Sequence, residues 1–190
     1  KIKGTDGPFW CFDNWMEKEK SIGAKSAFFF YPGSGLYKKH FNDPIYEITD
    51  KKSLTVINNI IKNGFEIGMH AGIRYKENIK AFNHSFELFK NYNLPIRGIR
   101  HHYWELDWSN PYKTFELQAK AGFLYDLSIA WKDKFGFRMS TSKPHKTWFS
   151  NQNSFDHVII PTTIIDSHIF EYNKNIKLGD KWKKLKQVIK

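Results

Sequence analysis

The sequence predicts an α/β fold, a parallel sheet or barrel, and three observations carry that prediction. Apolar runs of strand length alternate at least four times with stretches whose apolar residues recur at helical spacing. Glycine or proline punctuates most of the junctions. No linker-like or low-complexity stretch divides the 190 residues, so residues 1–190 read as a single domain.

Trp10 to Ile22 mixes apolar and charged residues at helical spacing (Phe12, Trp15, Met16, Glu19), and Gly23 suits the C-terminal cap. The run Ala27-Phe28-Phe29-Phe30-Tyr31 has strand length and stops at the turn signal Pro32-Gly33-Ser34-Gly35. Asp50 is expected to cap a helix carrying Leu54, Ile57, Ile60 and Ile61, with Gly64 just past its end. Residues 65–69 read as a strand. A helix over about 77–92 lines up Ile79, Phe82, Phe86 and Phe89. Residues 96–100 form the next strand, a helix starts at Pro111 and ends before Gly122, and 123–126 is a further strand. Residues 140–153 are polar and read as an extended loop, followed by a strand at 157–161 and a basic C-terminal helix.

Composition excludes several classes. With 41% apolar and 17% aromatic residues the chain is not disordered. No run approaches the ~18 apolar residues of a membrane span. Cys11 is the one cysteine, which rules out an internal disulfide and a cysteine zinc site and is compatible with a cytoplasmic setting. The net charge of +11 raises nucleic-acid binding, but the lysines are scattered. Their dense cluster (Lys181, Lys183, Lys184, Lys186, Lys190) shares a stretch with Trp182, Leu185, Val188 and Ile189 at helical spacing, and so reads as the solvated side of an amphipathic helix. A nucleic-acid partner is not expected.

Sites in parallel α/β folds collect where strands end. His70, the run Arg100-His101-His102-Tyr103, and Asp126 with Ser128 stand at three successive strand ends. His70 lies between Gly68 and Gly72, which allow close approach of a ligand. It reads either as a metal ligand or as a hydrogen-bonded structural histidine. Adjacent residues leaving a strand point to opposite sides, so one of His101 and His102 faces the same pocket as His70. Arg100 suits bidentate binding of a carboxylate and Tyr103 suits donation to an oxyanion; the alternative is a basic loop end with aromatic packing. Asp126 reads as support for Arg100 or a ligand histidine, or equally as a turn cap. Glu105 and Asp107, with Trp104 and Trp108, have the composition of a sugar site. Asp166-Ser167-His168 offers a further carboxylate but is too local to be a catalytic triad. Gly-x-Gly-x-x-Gly, Gly-Lys-Ser/Thr, Gly-x-Ser-x-Gly and His-Glu-x-x-His are absent, which removes sequence support for nucleotide enzymes, serine hydrolases of that type and zincins.

Gly64-Phe65-Glu66-Ile67-Gly68-Met69-His70 resembles the second motif of the polysaccharide deacetylases (carbohydrate esterase family 4, the NodB-like fold). Ile96 to Tyr103 resembles the third, and Ala121-Gly122-Phe123-Leu124-Tyr125-Asp126-Leu127-Ser128 the strand that follows. Gly136-Phe137-Arg138 and Ile160-Pro161-Thr162 fit a divergent subgroup associated with bacterial surface-polysaccharide loci. The resemblance spans roughly residues 9 to 170. It implies a distorted (β/α) barrel, incomplete at both ends, that removes acetyl groups from a carbohydrate with a divalent metal (zinc, nickel or cobalt). On it, His70 and His102 are the expected metal ligands. Arg100, Tyr103 and Asp126 are the expected catalytic residues, and Trp104, Asp107 and Arg138 the expected substrate contacts. Arg74 stands where the family has its second histidine, and His102 where it has a proline. The paired aspartates and the closing histidine are expected before and after this segment, so the chain reads as an excerpt. The His70 and His102 imidazoles are expected within about 10 Å of each other, since each ligand bond spans only ~2 Å. The alternative is a glycan-binding relative without activity, and the further alternative is a basic nucleic-acid-binding domain.

Overall fold

The computed structural model describes residues 10–33, 42–147, 156–172 and 175–189. Helix α1 is Phe12–Ser21, strand β1 Ala27–Phe30, helix α2 Lys51–Lys62 and strand β2 Glu66–Ala71. Helix α3 is Ile79–Asn91, strand β3 Gly98–His101, and a 3₁₀ turn covers His102–Trp104. Helix α4 is Pro111–Ala121, followed by strands β4 Tyr125–Asp126, β5 His145–Lys146 and β6 Val158–Ile159, then helices α5 Asp166–Phe170 and α6 Leu178–Ile189. The architecture is mixed α/β. Six strands pair in the order β1-β2-β3-β4-β6-β5, and every pairing is parallel except that of β5 with β6.

Local chemistry accounts for the helix ends. Pro111 occupies the first turn of α4, where its missing N–H costs nothing, and Gly122 closes the helix at φ 104°. Asn78 caps α3 by accepting from the Ala81 N–H. Asp50 precedes α2 as expected but makes no side-chain cap; its carboxylate accepts from the Glu47 N–H instead.

Alternation along the strands sorts the two faces of the sheet. Ile67, Met69 and Ala71 of β2 and Ile99 of β3 join Ile57, Phe82, Phe89 and Phe123 in the main core under α2 and α3. Such a core supplies the dominant stabilisation through apolar burial. The opposite face carries Gly68 and His70 on β2 and Gly98 and Arg100 on β3. Glycine is needed there because aromatic rings lie across the backbone. A Cβ at Gly98 would come within 2.1 Å of the Tyr125 ring, and one at Gly68 within 2.4 Å of the Phe29 ring.

Two features depart from expectation. Within the stretch read as an extended loop, His145–Lys146 forms the antiparallel edge strand β5; residues 148–155 lie outside the described residues. Strand β2 continues past position 69, so His70 belongs to the strand, paired with Arg100 across the ladder. No helix among the described residues is long and apolar enough to cross a membrane.

Candidate functional site

The strand ends open onto a cleft of about 1110 Å³, to which β2, β3, the 3₁₀ turn, the segment after β4 and α5 all contribute. His70, Arg100, Tyr103, Trp104, Trp108 and Arg138 line it. Five of the eight site residues expected from sequence are therefore brought to one place.

The two adjacent histidines separate as strand geometry demands. His102 turns toward His70, with ring centroids 5.0 Å apart. His101 turns the other way, into the core against Phe82, and its Nε2 accepts from the Gln118 side-chain amide at 2.9 Å. The His102 imidazole is held from behind: its Nδ1 lies 3.1 Å from Oδ1 of Asp43. Asp43 is a buried carboxylate that also accepts from the Ile73 N–H at 3.1 Å. An Asp43 carboxylate on Nδ1 fixes the tautomer and leaves Nε2 of His102 with its lone pair outward. Burial, with His102 and Arg100 nearby, pulls His70 down to about 4, so its ring is neutral and able to ligate at pH 7.

Backbone strain sits at the same corner. Tyr103 and Trp104 have φ of 52° and 57°, a left-handed pair that bulky residues rarely adopt. This kink stacks the Tyr103 ring on His102, at 4.4 Å and 12°, and leaves Tyr103 67% exposed. It also lays Trp104 under the guanidinium of Arg100, at 4.2 Å. Arg138 does the same with Trp108, at 3.5 Å, and lies 5.3 Å from Trp131.

Three other expectations are corrected. Asp126 is fully buried behind the strands and bonds Ser128 and Gln118; it acts on Arg100 only through its field. Asp107 is turned into its own loop, where it accepts from the Ser109 and Asn110 N–H groups ahead of α4, so it contributes a turn and not a cleft wall. Glu105 pairs with Lys76 at 3.3 Å and accepts from the Arg74 N–H. Of the Asp166-Ser167-His168 run, Asp166 lines the cleft, while His168 is buried and bonded to the Trp131 carbonyl. Arg74 lies off the cleft lining, at φ 83°.

Asp43 and Trp131 were missed from sequence. Asp43 follows no strand or helix pattern, and only the fold brings it beneath His102 from 59 positions away. Among the described residues no three His, Cys, Asp or Glu side chains converge as a ready metal site. No family model, curated protein or solved structure matches the chain.

The buried imidazoles also set a pH dependence. His70, His101 and His157 are held near 4, 3 and 4 by burial, against 6.5 in the unfolded chain. Unfolding below pH 6.5 therefore takes up protons, and stability falls as pH drops through that window. Asp126 opposes this: burial raises it to about 6, so the folded chain binds a proton that the unfolded one lacks. Three imidazoles outweigh one carboxyl, so the net effect is proton uptake on unfolding and a loss of stability as pH falls below 6.5. Thermal unfolding at pH 7.5 and 5.5 checks this. A lower midpoint at pH 5.5 is expected, and an unchanged or higher one contradicts it.

Proposed function

We propose that this chain is a carbohydrate deacetylase of the polysaccharide deacetylase type, a metal-assisted hydrolase of acetyl groups. The observation that carries the reading is the facing of His70 and His102 at 5.0 Å on two adjacent strand ends, with Asp43 behind the second ring. The parallel order of β1 to β4, each linked to the next through a helix, is also what a (β/α) barrel requires, and its sites lie at this end of the strands.

The donor set facing the cleft is two imidazoles, with the Asp43 carboxylate behind one of them, and imidazole suits zinc, cobalt or nickel over magnesium or calcium. His70 and His102 would hold the ion. An ion held there would supply Lewis acidity toward the acetyl carbonyl and the attacking water. The remaining work falls to the chain. Asp43 keeps His102 in the ligating tautomer. Arg100, braced on Trp104, is a cationic group of the cleft suited to stabilising a developing oxyanion. Trp104 and Trp108 line the cleft, and the ring surface that the stacked Arg100 and Arg138 leave free is apolar area a sugar ring can cover.

The test is metal titration of the whole chain followed by acetate release. Acetylated chitin oligosaccharides and acetylated xylan are the probes, with acetate read by proton NMR. One bound ion and chelator-sensitive release are expected. Retention of the oligosaccharide with no release at saturating zinc, cobalt or nickel overturns the hydrolase. That result selects the binding-only reading.

A further inference from the structure

Arg138 is the least explained residue of the cleft. Its guanidinium lies flat on Trp108, and one of its N–H groups donates to the Ala130 carbonyl at 3.2 Å. Among the described residues no carboxylate pairs with it, although a guanidinium has five donors to satisfy. Lys132 lines the same cleft and likewise has no acidic partner among the described residues. The acidic groups of the cleft, Asp166 and Glu171, come from α5 and its end, and Asp166 acts on Arg100. Arg138 shows no such influence: burial alone lowers its pKa.

The segment that carries Arg138 is anchored. The Gly136 N–H donates to the Thr163 carbonyl at 3.2 Å, with Gly136 at φ 113°, and Met139 packs against the smaller core of Leu106, Phe115, Ile129 and Ile159. Stacking fixes the plane of the guanidinium, so its outward edge is a prepared fork for a planar or tetrahedral anion. A fixed fork loses little entropy on binding.

We propose that Arg138, seated on Trp108 and aided by Lys132, is an anion subsite that binds a negatively charged substituent of the glycan, a carboxylate or a phosphodiester. This rests on the reading of the cleft as a glycan site and adds the class of glycan, an acidic one. Trp108 takes the sugar face and Arg138 takes the charge.

Binding to the whole chain tests it, measured by calorimetry with three oligomers: oligogalacturonate, its uncharged methyl ester, and a glycerol-phosphate oligomer. The acidic oligomers are expected to bind at least roughly tenfold tighter than the methyl ester, because charge-assisted hydrogen bonds are lost in the ester. The preference should weaken as salt rises. The tighter of the two acidic oligomers identifies the source of the charge. Arg138→Ala should abolish the preference, and Arg138→Lys, which keeps charge without the fork, should restore part of it. Because Arg138→Ala also removes packing, Lys132→Gln is the second variant: it sits on an exposed side chain and should weaken acidic oligomers about two- to threefold and the ester not at all. Equal or absent binding of acidic and esterified oligomers overturns the subsite, as does an acidic preference untouched by both variants. Acetate release is read separately. Release without acidic preference removes only the subsite; acidic preference without release removes only the hydrolase.

Discussion

His70→Ala is expected to lower metal-dependent acetate release by at least roughly 10³-fold, since Lewis-acid stabilisation is worth several kcal/mol and each 1.4 kcal/mol is about tenfold. The side chain projects from β2 into the cleft, on the face away from the core that holds Met69 and Ala71. Its removal therefore takes one of two facing imidazoles and leaves the core packing intact. Folding should survive, with a thermal midpoint close to the parent's. Asp43→Asn gives a smaller, diagnostic loss of about 10–100-fold, the usual cost of removing the carboxylate that orients a ligating histidine. Its amide oxygen still accepts from the Ile73 N–H, so the loop stays in place while His102 loses its charged partner. Metal affinity by titration and acetate release by NMR check both. A His70→Ala protein that keeps its metal and its release would refute the assignment of His70.

Much of the fold was legible because its signals are local. The helix stripe of α3 and the Pro111–Gly122 bracket of α4 fall within one or two residues of expectation. The separation of His101 from His102 was legible too, because alternation across a strand is a local rule. Short strands were less so: β4, β5 and β6 have two residues each, too few to show a period of two. The site divides in the same way. Residues at strand ends were found because topology places strand ends together. Asp43 was not, because its proximity to His102 depends on the path of a long connection after β1. Asp107 was read toward the cleft, and Asp126 was left open between a supporting role and a turn cap, for a common reason. A carboxylate near a strand end is equally suited to a turn or a buried network, and only its hydrogen bonds distinguish these from a cleft position.

The hydrogen bonds of Asp126 make its replacement the most damaging to stability. Its carboxylate accepts from the Ser128 N–H at 2.6 Å, the Ser128 hydroxyl at 2.9 Å and the Gln118 amide at 2.8 Å. Asp126→Ala strands these donors in a region closed to water, each at about 1–3 kcal/mol, and opens a cavity between β3 and β6. Some relaxation is expected, so the loss should be about 3–5 kcal/mol, enough to unfold a marginal domain. Asp126→Asn should cost less, because it keeps the volume and one acceptor but turns an amide N–H toward a donor. The asparagine also removes the carboxyl that protonates near pH 6 in the fold and opposes the three buried imidazoles. Acid destabilisation should then be steeper by up to about one proton between pH 5 and 6. Activity measured where Asp126→Asn is folded should follow the folded fraction. A large fall in acetate release from a fully folded Asp126→Asn protein, with an unchanged pH profile of stability, would instead put Asp126 in the chemistry.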